Sequence, residues 1–179
     1  HTESRNIKIY SWKYYFENGN LKAKGNFENN IRHGHWDFYY ENGADKSGGI
    51  YFNNKKEGIW NYFYEDGNLK AQAFYSAGKG LYKEFYPAGQ LKMEGNNENN
   101  KSEGTWTYYH ESGEIEAVGE FKSGLRNGFW QYYHENGQLA AEGTFEKGEK
   151  SGIWKYYFPD GSISSEGEML NDQKDGFWK

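Results

Sequence analysis

The sequence contains no cysteine and only 2 prolines in 179 residues. Without thiols the chain can form neither a disulfide bond nor a thiolate zinc site, and it has no cysteine nucleophile. No apolar run reaches the length that spans a membrane, and no signal peptide is visible. The net charge is -5 with both signs interspersed, so the basic stripe of a nucleic-acid-binding protein is not evident. We expect a soluble chain, either cytoplasmic or exported after removal of a signal.

Aromatic residues and glycine dominate what the sequence does contain. Aromatic residues make up 20% of the chain although its mean hydropathy is only -1.14, and 24 residues are glycine. Disordered chains are also polar but are poor in aromatic residues, so this composition argues against disorder. Aromatic strand formers combined with many turn-forming glycines are typical of an all-β protein.

A repeat of 24 residues organises the chain. Tryptophans recur at this spacing, except for one gap of 46 residues that Tyr82 divides into 22 and 24. We call the repeated position the anchor, and it is occupied by Trp12, Trp36, Trp60, Tyr82, Trp106, Trp130 and Trp154. A fixed period of this length is the signature of a repeat protein. We therefore predict a single array over residues 1–179 with a partial repeat at Trp178, which is compatible with a fragment of a longer protein but does not establish one.

Each repeat has the pattern of a β-hairpin. In the segment Trp130–Phe145, apolar and polar residues alternate on both sides of an Asn-Gly turn that ends at Gly137. Leu139 follows two residues after this glycine and Gly143 follows after six. The other repeats share the spacing, except that Asp45 replaces the branched residue and Ala73 replaces the second glycine. Because side chains alternate along a strand, we expect the anchor, the Leu column and the Phe column on one face. Seven such hairpins stacked in series would bury their rings against one another.

The repeated motif Gly-x-Trp-x-Tyr-Tyr-x-x-x-Gly-x-Leu-x-x-x-Gly-x-Phe resembles the MORN repeats, and more closely their bacterial variant form. The resemblance covers essentially the whole chain. It implies an elongated single-layer antiparallel sheet of about seven tandem hairpins. It also implies a role as a scaffold, a dimerisation module or a membrane-proximal module, and some bacterial proteins with variant repeats are described as antitoxins. No catalytic residue follows from the resemblance.

The third residue after each anchor is aromatic in all seven repeats, although alternation turns it away from the anchor face. We call these residues the third-position column: Tyr15, Tyr39, Phe63, Phe85, Tyr109, Tyr133 and Tyr157. Aromatic residues are enriched in the binding hot spots of protein interfaces, so the column is a candidate partner-binding stripe. The alternative is that these rings stack on each other and stabilise strand pairing.

Other candidate sites are weaker. His110 and His134 occupy equivalent positions in consecutive repeats, which fits either a metal-binding or pH-sensing pair or one ring replacing another in a ladder. His33 and His35 lie close in sequence but have no evident third metal ligand. The glutamates that precede the turns recur with the repeat and therefore belong to the turns. We predict no catalytic residue, no metal and no cofactor.

These features favour a non-enzymatic scaffold that binds another protein, as a subunit of a larger bacterial complex or as an antitoxin-like protein. Association of copies through the open ends of the sheet is a further possibility. The alternative is a module that binds cell-wall carbohydrate or choline, because repeats of that class hold ligands between the aromatic residues of similar hairpins. Contact with a membrane surface ranks third, since anionic lipids attract basic patches and the chain is acidic.

Overall fold

The computed structural model describes residues 9–77, 79–99 and 101–179. This part of the chain contains fifteen β-strands and no helix, which confirms the predicted all-β class. The strands are β1 (Ile9–Tyr15), β2 (Leu21–Glu28), β3 (Ile31–Tyr39), β4 (Asp45–Phe52), β5 (Lys55–Phe63), β6 (Leu69–Ser76), β7 (Lys79–Phe85), β8 (Leu91–Glu98), β9 (Lys101–Tyr109), β10 (Ile115–Lys122), β11 (Leu125–Tyr133), β12 (Leu139–Glu146), β13 (Glu149–Tyr157), β14 (Ile163–Leu170) and β15 (Gln173–Trp178).

The strands follow one another in an open antiparallel sheet in the order of the chain, as tandem hairpins require. The chain divides into two compact units. The first comprises residues 1–80 and 87–89, and the second comprises residues 81–86 and 90–179. That the whole array behaves as one domain stays a prediction.

The hairpin turns are closed by the glycine seven residues after the anchor. Gly137 has a φ of 78°, a left-handed conformation that glycine adopts without steric cost. Its N–H donates to the carbonyl oxygen of His134 at 2.8 Å. The preceding Asn136 uses its side-chain oxygen to accept a hydrogen bond from the N–H of Gln138 at 3.0 Å. Asparagine before the glycine thus stabilises the turn by this side-chain bond, as is common for Asn and Asp.

A β-bulge after six of these turns corrects one prediction from the sequence. In β12, Ala141 pairs with Tyr132 but Leu139 pairs with Tyr133, so Ala140 is an extra residue in the strand. Directly opposed residues in an antiparallel pair have side chains on the same face. The Leu column therefore lies with the third-position column, and the prediction that it shares the face of the anchors was wrong. Simple alternation failed because the bulge reverses the phase of the strand.

The anchor tryptophans form the core. Trp36, Trp60, Trp130 and Trp154 are at most 1% exposed. The indole Nε1 of Trp130 donates to the carbonyl oxygen of Glu120 in the preceding strand at 3.1 Å. Equivalent bonds are made by Trp36, Trp60, Trp106, Trp154 and Trp178. Each tryptophan thus ties its own hairpin to the one before it.

Rings from neighbouring repeats interlock around the anchors. Phe145 packs edge-on against both Trp130 and Trp154, with ring centroids 5.9 Å and 5.1 Å away. Tyr132, two residues after the anchor, stacks on Trp130 with an interplanar angle of 28°. Aromatic pairs in these geometries stabilise beyond the area that they bury. This surface, which we call the tryptophan face, therefore holds the hairpins together within each unit.

Candidate functional site

The third-position column lies on the face opposite the tryptophans. Along β11, Phe129, Gln131 and Tyr133 alternate with the buried Trp130, and Tyr133 donates a hydrogen bond to Gln131 at 3.1 Å. This contact between side chains two residues apart places both on the same surface. We call it the opposite face. The regular repeats of the second unit show it most clearly.

The tyrosine hydroxyls of this column are held by carboxylates. Tyr109 donates to Glu94 at 2.8 Å, and Tyr157 donates to Glu142 at 2.9 Å. Burial raises the pKa of both tyrosines, and the hydrogen bond to each carboxylate raises it further. The pKa of Glu94 is lowered, chiefly by its hydrogen bond to Lys83 and then by that from Tyr109. These rings are therefore fixed in position and remain neutral at physiological pH.

The column does not form a stack in the regular repeats. Among the described residues, the ring contacts of the second unit join the anchors, the residues two positions later and the Phe column, and none includes Tyr109, Tyr133 or Tyr157. These three side chains are half-buried. Stacking of these rings on one another therefore does not explain why the third position is aromatic in this unit.

Exposed apolar side chains flank the column, and the sequence analysis did not single them out. Phe129 and Ile153, which directly precede two anchors, are 54% and 59% exposed and lie on the opposite face. The bulge adds Ile115 and Ile163, both exposed, opposite Tyr109 and Tyr157. We call the combined surface of the second unit the outer patch, and it consists of Tyr109, Ile115, Phe129, Tyr133, Leu139, Ile153, Tyr157 and Ile163. The sequence signal that could have revealed Phe129 and Ile153 is an apolar residue directly before the anchor.

The two paired histidines have structural hydrogen bonds. His110 Nε2 lies 2.9 Å from the carbonyl oxygen of Tyr133, and His134 Nε2 lies 3.0 Å from that of Tyr157. Because a carbonyl only accepts, each Nε2 carries a proton. Tyr86 donates the equivalent bond to Tyr109 at 2.8 Å. Histidine thus replaces a tyrosine in a ladder that links consecutive repeats, which was one of the two interpretations of this pair.

His33 and His35 do not converge on a common ligand. His33 Nδ1 lies 3.5 Å from a carboxylate oxygen of Glu28, whereas His35 Nε2 lies 2.8 Å from Asp37. Across the described ranges, no group of three or more His, Cys, Asp or Glu side chains could hold a metal ion. The structure therefore offers no support there for a metal centre.

The tryptophan face carries cations that the sequence analysis also missed. Arg126 lies over the ring of Trp130 and Lys150 over that of Trp154, at 5.0 Å and 4.3 Å from the centroids. Cations favour this position because of the negative ring face. The rings are both buried and covered by the chain's own cations, so they are unavailable to choline or a sugar in solution.

Comparison with known families matches the MORN repeat variant at residues 11–29, 56–77, 79–99, 102–123, 126–147 and 150–171. The chain belongs to the MORN repeat variant family. This repeat type is non-catalytic and generally binds proteins or membranes. Residues 30–55, which are not matched, still form the hairpin β3–β4 although Asp45 replaces the branched residue after the turn.

Searches beyond the MORN family add little. No curated protein sequence matches the chain. Among solved structures, TarM aligns over 50% of this chain with 14% identity and a TM-score of 0.37, and the GtfA/B complex aligns over 57% with 14% identity and a TM-score of 0.31. A structure of S. aureus TarM aligns over 49% with 13% identity and a TM-score of 0.38. The aligned region spans only 18% of each of these chains, and similarity at this level carries no functional argument.

The described part of this MORN chain has no helix with the length and apolar character needed to cross a membrane.

Proposed function

We propose that this MORN chain is a non-enzymatic scaffold that binds another protein through the outer patch. The observation that supports the proposal is the combination of half-buried tyrosines and exposed apolar side chains on the face that does not hold the hairpins together. Contiguous apolar surface rimmed by charged residues is typical of protein interfaces. Tyrosine is also among the residues most enriched in binding hot spots.

The geometry of the patch favours an extended protein partner. Tyr109, Tyr133 and Tyr157 recur once per hairpin, so they are separated by two strand spacings, about 9–10 Å. A row of this kind presents a repeated contact surface and no enclosed cavity. Its tyrosines are held by Glu94, Glu142 and Gln131, which reduces the entropy lost when a partner immobilises them. A subunit of a larger bacterial complex, or an antitoxin-like protein bound to its target, would use such a surface.

A capture experiment tests the proposal. Wild-type protein, the variant Tyr109→Ser/Tyr133→Ser/Tyr157→Ser and the variant Phe129→Ser/Ile153→Ser are used as bait, and captured proteins are quantified by mass spectrometry. A matched control, Ile59→Ser/Phe74→Ser, removes two side chains of similar exposure (55% and 54%) from the first unit. We expect that wild type and the control capture a partner that neither outer-patch variant captures. A partner that all four baits retain equally would contradict the proposal.

Retained folding must be verified for each variant, because the tyrosines are half-buried. Unchanged circular dichroism together with lost capture assigns the column to binding, whereas collapse of the triple variant assigns it to stability. Phe129 and Ile153 are more than half exposed, so the double variant separates the two effects. Titration of tryptophan fluorescence with choline and glucan tests the carbohydrate alternative, for which we expect no response.

A further inference from the structure

Three lysines of the first unit recur one repeat apart on aromatic rings. They follow the hairpin turns by three residues, and each covers the ring four residues after the anchor. The pairs are Lys22 over Phe16, Lys46 over Tyr40 and Lys70 over Tyr64, with Nζ 5.4, 5.3 and 5.5 Å from the ring centroids. All three lysines are exposed. We call them the lysine row.

Two further cations of the first unit cover anchor tryptophans. Arg32 covers the ring of Trp36 at 5.1 Å, and Lys56 covers that of Trp60 at 4.5 Å. Lys56 also donates a hydrogen bond to the hydroxyl of Tyr62 at 2.6 Å. Burial lowers the pKa of Lys56, because its charge is partly removed from water. The tryptophan face of this unit therefore concentrates positive charge on an aromatic surface.

These five cations lack carboxylate partners within the described residues, unlike Lys24 on the opposite face. There, Lys24 pairs with Asp37 at 3.4 Å. The second half of the chain is much more acidic than the first: residues 9–80 contain 9 Lys and Arg against 8 Asp and Glu, whereas residues 81–179 contain 10 against 17. The positive charge on the tryptophan face of the first unit is thus uncompensated in a chain that is acidic overall.

A shallow pocket of about 320 Å³ brings two lysines of the row together with Lys56. Lys22, Lys46 and Lys56 line it together with Ser47 and aromatic side chains that include Phe38. Pockets of roughly 300 Å³ and above accommodate ligand-sized groups. The walls are apolar rings, while the polar groups that converge on the space are mainly ammonium groups. This lining favours a ligand that carries carboxylates and is otherwise uncharged and flexible.

We propose that the lysine row and this pocket bind an extended acidic segment of another polypeptide, with glutamate or aspartate at every third residue. Successive lysines of the row are one hairpin apart, which is about 9–10 Å. An extended chain rises about 3.3 Å per residue, so every third side chain advances by roughly 10 Å. Carboxylates at this spacing meet Lys22, Lys46 and Lys70 in register. The site consists of residues of the first unit, whereas the outer patch belongs to the second, and it therefore does not depend on the proposed function.

The spacing is tested with labelled peptides and the whole chain. Fluorescence anisotropy measures binding of a repeated Glu-Gly-Ser peptide, a peptide of the same composition with its glutamates in one block, and a Gln-Gly-Ser peptide. We expect the evenly spaced peptide to bind about tenfold more tightly than the blocked one, and the glutamine peptide not to bind. Raising the ionic strength from about 0.05 M to about 0.5 M should weaken binding, because the contacts are exposed ion pairs.

Charge-matched variants locate the site. Lys22→Gln/Lys46→Gln/Lys70→Gln should weaken binding of the spaced peptide by about tenfold. The control Lys13→Gln/Lys24→Gln/Lys55→Gln removes the same charge from the opposite face of the same unit and should bind as wild type does. Lys22→Arg/Lys46→Arg/Lys70→Arg retains the charge and should restore binding. Thermal unfolding verifies that the variants remain folded.

Four results would overturn the proposal. If the lysine-row variant and its control weaken binding of the spaced peptide equally, then binding depends on net charge and not on the lysine row. Equal affinity for the spaced and blocked peptides would show that the spacing of the carboxylates does not have to match that of the lysines. Competition with the spaced peptide by phosphatidylserine–phosphatidylcholine vesicles or by inorganic phosphate at comparable charge concentration would assign the surface to anions in general. Concentration-dependent self-association that the lysine-row variant abolishes would instead identify a second copy as the occupant.

Discussion

The indole of Trp130 lies directly against Gly119 in the preceding hairpin, so close that a methyl group at Gly119 would overlap the ring. The same contact recurs between Trp154 and Gly143. Glycine is therefore required here for its lack of a side chain. The repeat with alanine at this position, Ala73, is the one followed by Tyr82 in place of tryptophan. The small residue and the following anchor thus change together in this chain.

Gly119→Ala should destabilise the fold by about 1–3 kcal/mol, because the added methyl group overpacks the site. Urea unfolding measures the loss. The double variant Gly119→Ala/Trp130→Tyr reproduces the combination of Ala73 and Tyr82. We expect it to lose less free energy of unfolding than the two single variants together, since the smaller ring leaves room for the methyl group. Strict additivity would contradict the proposed contact.

Trp130→Ala should cost about 3–5 kcal/mol, because the side chain is fully buried and its hydrogen bond to Glu120 is lost as well. Trp12→Ala provides the comparison. Trp12 occupies the same position of its repeat but is 49% exposed, so its removal should cost clearly less. Similar losses in urea unfolding would show that burial does not determine the contribution of an anchor.

Gly137→Asn should be tolerated better than Gly137→Val, because the backbone there has a φ of 78°. Asparagine adopts this left-handed conformation more readily than a β-branched residue does. No neighbouring side chain lies within contact of the position, so the comparison isolates backbone strain. Denaturant melts of the two variants provide the test, and equal midpoints would count against the assigned turn.

Glu94 should make the fold sensitive to acid. Its pKa lies below the ordinary value of 4.5, first because of Lys83 and then because of Tyr109. A lowered folded-state pKa stabilises the fold above about pH 4.5, and this contribution disappears as the pH falls through the folded-state pKa. Glu94→Gln should therefore be less stable than wild type at neutral pH, with the difference shrinking as the pH falls below 4.5 and through the folded-state pKa. The exposed turn variant Glu135→Gln is the control, and a Glu94→Gln deficit independent of pH would refute the assignment.

The period of the tryptophans was sufficient to predict the hairpins, because each anchor, turn glycine and Phe position repeats in register. The face of Leu139 could not be predicted by counting alternate residues, because the bulge at Ala140 reverses the phase. The order of the strands agrees with the repeat, because consecutive elements joined by short loops usually lie next to each other.

The candidate sites were predicted less completely. The third-position column was visible because all seven members are aromatic, but Phe129 and Ile153 were missed because their position is not apolar in every repeat. The cations over Trp130 and Trp154 were missed because Arg126 and Lys150 are four residues from their rings across a bulge. A periodic aromatic column is expected both from partner binding and from strand pairing, so the function of the column stays a prediction.

Hydroxyl-radical footprinting of the complex with a captured partner tests the central claim most directly, because it reports which face the partner covers. We expect oxidation of Phe129, Tyr133 and Ile153 to fall on binding. The exposed turn residue Phe158 should be oxidised as in the free protein. Unchanged oxidation of the outer patch, with protection of Tyr132 and Tyr156 on the tryptophan face instead, would contradict the account.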